Sequence, residues 1–104
     1  MKNRKSTGGK TRHGSFRDPI LEVLYRHGGE ARRLTVLREV EQLMSKELSD
    51  FDRSDIKSGT VRWEKGAEWE VHIMRREDLL EPVSSSEPGV WRLTQKGRKL
   101  ASQV

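Results

Sequence analysis

At 104 residues, with 32% of them apolar and 36% charged, the chain has room for one domain with a small core and a heavily ionised surface. Its net charge of +5 points to an anionic partner, and the absence of cysteine excludes a disulfide framework and a thiolate metal site. No apolar run approaches the roughly 20 residues of a membrane span, and the basic N-terminus lacks the apolar stretch of a secretory signal; a cytoplasmic protein with no membrane partner is expected.

The first 14 residues read as a disordered basic tail, and residues 15–104 as the folded domain. Lys2, Arg4, Lys5, Lys10, Arg12 and Arg17 precede the first acid, Asp18, so residues 1–17 carry +6 and the remainder −1. A near-neutral body cannot hold phosphate through bulk charge; it must gather its cations on one face or rely on the tail. The tail reads equally as an arm following a phosphate backbone and as an inert solvated terminus.

Helix one is expected to begin between Ser15 and Pro19, where Asp18-Pro19 offers a cap and an early-turn proline, and to end at Gly28-Gly29. Phe16, Ile20, Val23 and Leu24 recur along it at helical spacing. Residues 30–34 form a connector, with a short edge strand as one option. Helix two starts at Thr35 and turns Leu37, Val40, Met44 and Leu48 inward. The following SDFDRSDIKS is too long for a tight helix-turn-helix turn. Phe51 and Ile56 are its expected anchors, and Asp50, Asp52 and Asp55 read as a solvated acidic loop, because the glycine and glutamate of a calcium loop are missing.

Helix three is expected over about 60–77. At about 100° per residue, Arg62, Lys65, Trp69, His72 and Arg76 share a sector of roughly 80°, a basic and aromatic stripe. The opposite arc holds Trp63, Gly66, Ala67, Ile73 and Met74, together with Glu70 and Glu77, two carboxylates that require cationic partners if buried. Trp69 is either a stacking surface beside cations or a core residue, and the core is the expectation because large aromatics in small domains usually supply buried area. Trp63 carries the same ambiguity.

The run DLLEPVSSSEPGVWRLTQKG, residues 78–97, reads as helix end, strand, polar turn, strand and helix cap, the order of a wing. Leu79, Leu80 and Val83 weight the first arm, residues 84–89 form the turn, and Val90-Trp91-Arg92-Leu93 alternates as a half-buried strand. Thr94 offers its side-chain oxygen to the amides of a last helix. The fold class expected is mainly α with a small β-hairpin, a winged helix-turn-helix.

From Phe16 to Leu100 the chain resembles the N-terminal winged-helix domain of Mrr-type restriction proteins, on the motif RWEKGAEWEVHIMRREDLLEPVSSSEPGVWRLTQKGRKL. The features that carry the resemblance are Trp69, the Leu79-Leu80 step, a variable wing, the Gly-Val-Trp-Arg-Leu-Thr strand of residues 89–94, and Gly97. Two positions depart from the family pattern. Glu70 stands where a small residue is usual, and Asp78 stands where a glycine would suit a left-handed helix end. The resemblance implies that Trp69 is structural, and that the family's nuclease module is absent, as the chain ends ten residues after Thr94.

DNA binding is the function expected. Arg62 and Lys65 would enter the major groove, Ser58 and Thr60 would reach phosphates, and His72 and Arg76 would continue the stripe. Arg92 and Ser85 would contact backbone from the wing, with Lys96 adding charge beside it. The partner is then double-stranded DNA, bound by a transcription regulator or a DNA-targeting module. A second copy of the chain and a separate nuclease or other protein stay open as further partners. The alternative is a protein-interaction or dimerisation module on the same fold, for which Glu64 and Glu68 on helix three speak. No catalytic residues, cofactor or metal ligands are expected. His13, His27 and His72 lack metal spacing, Ser84, Ser85 and Ser86 have no neighbouring base, and no glycine loop follows a strand.

Overall fold

The computed structural model describes residues 10–83 and 87–104. A 3-10 turn, His13–Phe16, runs into helix α1, Arg17–Arg26, followed by strand β1, Glu30–Arg32, and helix α2, Arg33–Leu43. After an irregular loop come α3, Arg62–Arg76, strand β2, Val90–Arg92, and α4, Gln95–Ala101. The chain is mainly helical, with a small antiparallel two-stranded sheet in a winged-helix-like arrangement.

Four helix boundaries have a visible local cause. Pro19 lies in the first turn of α1, where its missing N–H is not needed. At the other end Gly28 takes φ 83°, and Gly29 N–H donates to the Leu24 carbonyl at 2.8 Å, closing the helix with a left-handed cap. α3 ends in the same way on Asp78, which has φ 64°; Asp78 N–H donates to the Arg75 carbonyl and Leu79 N–H to that of Met74. Thr94 caps α4 as the sequence leads one to expect, accepting from Gly97 N–H at 2.9 Å while its hydroxyl donates to the Asp78 carbonyl at 2.6 Å. That one side chain joins the end of α3 to the start of α4.

The sheet differs from a simple hairpin. β2 pairs with β1, placing Ala31 opposite Trp91, and the wing's first arm contributes one bridge, Leu80 to Leu93. Val83, expected in that arm, is exposed. β2 is therefore the central strand, held on one side by the connector after α1 and on the other by the Leu79-Leu80 step.

Phe16 from the 3-10 turn and Ile20, Leu21 and Leu24 from α1 pack with Val36, Leu37 and Val40 from α2 and with Trp63, Ala67, Val71 and Met74 from α3. Leu80, Trp91 and Leu93 close the sheet side of this core. Burying each such side chain contributes on the order of 1.5–3 kcal/mol before conformational entropy is set against it. Trp63 stacks on Phe16 with ring centroids 6.0 Å apart, fixing α3 against the start of α1.

The loop after α2 is anchored differently from the expectation. Phe51 is 41% exposed, whereas Asp52 is 1% exposed. Ser49 and Asp52 form a reciprocal capping pair: Ser49 N–H donates to the Asp52 carboxylate at 2.9 Å, and Asp52 N–H to the Ser49 hydroxyl at 3.1 Å. The same carboxylate accepts from the backbone N–H and hydroxyl of Thr11, at 2.8 and 2.6 Å. Asp52 is thus a buried junction and not part of a solvated loop. Through it residues 10–14, the described portion of the expected tail, are bonded to the body.

Candidate nucleic-acid interface

The phase of α3 decides what this protein offers to a ligand. Its buried residues are Trp63, Ala67, Glu70, Val71 and Met74, which centre the core face nearly opposite the basic and aromatic stripe. Trp69 is consequently 52% exposed, against 4% for Trp63. The expectation that Trp69 is structural is overturned: Trp63 already fills the core position, and Trp69 lies on the far side of the same helix.

Glu70 explains how a carboxylate can face the core. It is 2% exposed, accepts from Arg17 Nε at 2.6 Å, and lies 2.7 Å from His13 Nδ1. Arg17 also pairs with Glu77 at 2.8 Å. Burial works against the Arg17 charge, but the hydrogen bonds to Glu77 and Glu70 outweigh it and raise its pKa above the ordinary value. The two carboxylates of the apolar arc therefore share one arginine, and the 3-10 turn is clamped onto α3.

With His13 held there, the segment from Lys10 to Ser15 runs beside α3 and leaves an open groove of about 1200 Å³ between them. Its lining includes Lys10 and Arg12 from the segment, Arg62, Lys65, Trp69 and His72 from α3, and Ile56 from the preceding loop. Lys10, Arg12, Arg62 and Lys65 share this lining with one acid, Glu68, and Glu68 already accepts from Arg33 Nε at 2.6 Å. Glu64 does not line the groove. Burial raises its carboxyl pKa; Arg33 opposes the shift, and Glu68 and Glu41 add to it. Glu64 and Glu68 thus both interact with Arg33 of α2.

The site residues expected from sequence fall into three groups. Arg62, Lys65 and His72 come together in the groove. Arg62 is oriented by its guanidinium lying 4.1 Å above the Phe51 ring, and His72 by stacking on Trp69 at 5.2 Å. Ser58 and Thr60 sit just before α3, their hydroxyls bonded to each other at 3.2 Å. Arg76, Arg92 and Lys96 lie outside the groove lining. Arg76 is exposed in the last turn of α3. Arg92 Nε donates to Glu30 at 2.7 Å across the β1–β2 pair, and Lys96 Nζ donates to the Glu77 carbonyl at 3.0 Å. Ser85 lies outside the described residues.

Lys10, Arg12 and His13 are groove residues that sequence reasoning left in the tail. The Ser-x-x-Asp pattern of Ser49 and Asp52 marks a capped turn, but nothing local to it points to Thr11 as a second partner. Among the described residues no group of three or more His, Cys, Asp or Glu side chains is arranged to hold a metal ion, and no helix is long and apolar enough to cross a membrane.

No curated protein and no solved structure matches the chain significantly. The family model described as the Mrr N-terminal domain matches residues 14–103, from within the 3-10 turn through the four helices and two strands of the described residues. The chain belongs to the Mrr N-terminal domain family.

Proposed function

We propose that this chain is a DNA-binding module of a restriction-related system, a targeting unit or a regulator, which holds double-stranded DNA through the outward face of α3 and the segment at Lys10 to Ser15. The observation that carries this reading is the set of four cations, Lys10, Arg12, Arg62 and Lys65, lining one groove whose single acid is already paired with Arg33. Such a set supplies the phosphate neutralisation that a body of net charge −1 lacks overall. Membership of the family supports the restriction-related part of the reading.

The wing has a smaller share, because Arg92 and Lys96 are bonded within the fold. That same observation favours the second reading, a protein-interaction module in which the wing side meets a partner chain. Retention of a random-sequence duplex separates the two. Arg62→Ala with Lys65→Ala should weaken it about tenfold or more across all sequences, whereas Arg92→Ala with Lys96→Ala should change it little. Retention that is negligible in the wild type, or indifferent to the first pair, rejects the DNA reading.

A further inference from the structure

We propose that the groove seats one unpaired nucleotide of a bound DNA, with its base stacked on Trp69; the proposal rests on the DNA-binding reading above. Of the three tryptophans, Trp63 and Trp91 are 4% and 5% exposed, and Trp69 alone keeps half its surface in water. One face of its ring has a neighbour. His72 stacks on it at 5.2 Å with planes 28° apart, so the indole is oriented before any ligand arrives.

The groove offers a place for one nucleotide beside a bound duplex. This groove is shared by Trp69, the segment at Lys10 to Ser15 and Ile56. Its volume of about 1200 Å³ exceeds the 300–1000 Å³ or so of small-ligand pockets, which leaves room for a nucleotide and its flanking phosphates. Arg62 and Lys65 lie one to two helical turns before Trp69, where they can neutralise those phosphates while the indole takes the base. A flat aromatic bordered by cations is the arrangement by which proteins hold unstacked bases without reading their sequence.

Three duplexes of equal length test this by fluorescence anisotropy: one fully paired, one with a single bulged thymidine, and one with an abasic residue at the bulge. The wild type should bind the bulged thymidine about tenfold tighter than either of the others. Trp69→Ala should abolish that preference, so that the bulged thymidine binds no tighter than the abasic bulge, and Trp69→Phe should keep most of it. Trp69 is half exposed, so the variants should fold, which circular dichroism verifies. Equal binding of the thymidine and abasic bulges, or a preference that survives Trp69→Ala, overturns the proposal while salt-sensitive binding of the paired duplex keeps the DNA reading. Failure of every duplex to bind in a salt-sensitive manner overturns both.

Discussion

Gly97 in α4 packs directly against the backbone of Leu79: a Cβ at position 97 would run into the Leu79 carbonyl oxygen. That carbonyl also accepts from Thr94 N–H at 3.1 Å, so the backbone there has little freedom to withdraw. The Leu-Thr-x-x-Gly pattern is thereby explained as a steric requirement where the last helix crosses the step out of α3.

Gly97→Ala should accordingly destabilise the protein by about 1–3 kcal/mol, despite alanine's higher helix propensity, because overpacking outweighs that gain. Urea denaturation reads the change as a lower midpoint. A midpoint equal to or above the wild type's would show that α4 can shift without cost.

Asp78 predicts the opposite sign. It holds φ 64° at the end of α3, a conformation that costs an L-residue energy and that glycine adopts freely. Its carboxylate also sits at the negative end of the helix dipole. Asp78→Gly should raise stability by about 0.5–1 kcal/mol after the added freedom of the unfolded glycine is subtracted, seen as a rise in Tm.

Asp52 carries a pH dependence. Burial alone would push its carboxyl up, but the hydrogen bonds from Thr11 and Ser49 together outweigh it and hold the group below its ordinary value. A carboxylate whose folded pKa is depressed stabilises the fold above its unfolded value of about 4 and loses that contribution as pH falls through the folded value. Asp52→Asn should cost about 2 kcal/mol at neutral pH, and the gap to the wild type should close below about pH 4. Urea titrations between pH 7 and 3 check this; a gap constant across the range would mean that the charge of Asp52 contributes nothing.

The elements with local causes were legible in the amino-acid sequence. Pro19 lies in the first turn of α1, although the helix opens at Arg17 without the side-chain cap expected of Asp18; Gly28-Gly29 close it, Thr94 and Gly97 mark the start of α4, and the period of α3 separates its two faces. Trp69 is instructive because two arguments conflicted over it. Its angular position placed it among the cations, and the general tendency of large aromatics placed it in the core; the structure follows the angle, since Trp63 already stacks on Phe16. What was not legible joins distant residues. The partner of β2 is β1, separated from it by α2, the loop and α3. The requirement that Glu70 find a cation could be stated from sequence, but not that His13 and Arg17 meet it. Nor does local pattern show that Asp52 reaches across 41 residues to Thr11, which is what brings Lys10 and Arg12 beside α3.

The most direct test of the account is the salt dependence of affinity for a random-sequence duplex, measured for the wild type and for Lys65→Ala. Four groove cations predict that affinity falls with a log–log slope of about 3 to 4, and that Lys65→Ala lowers this slope by about 1. An affinity insensitive to salt, or a slope that Lys65→Ala leaves unchanged, would contradict the assignment of this groove as a DNA-binding surface.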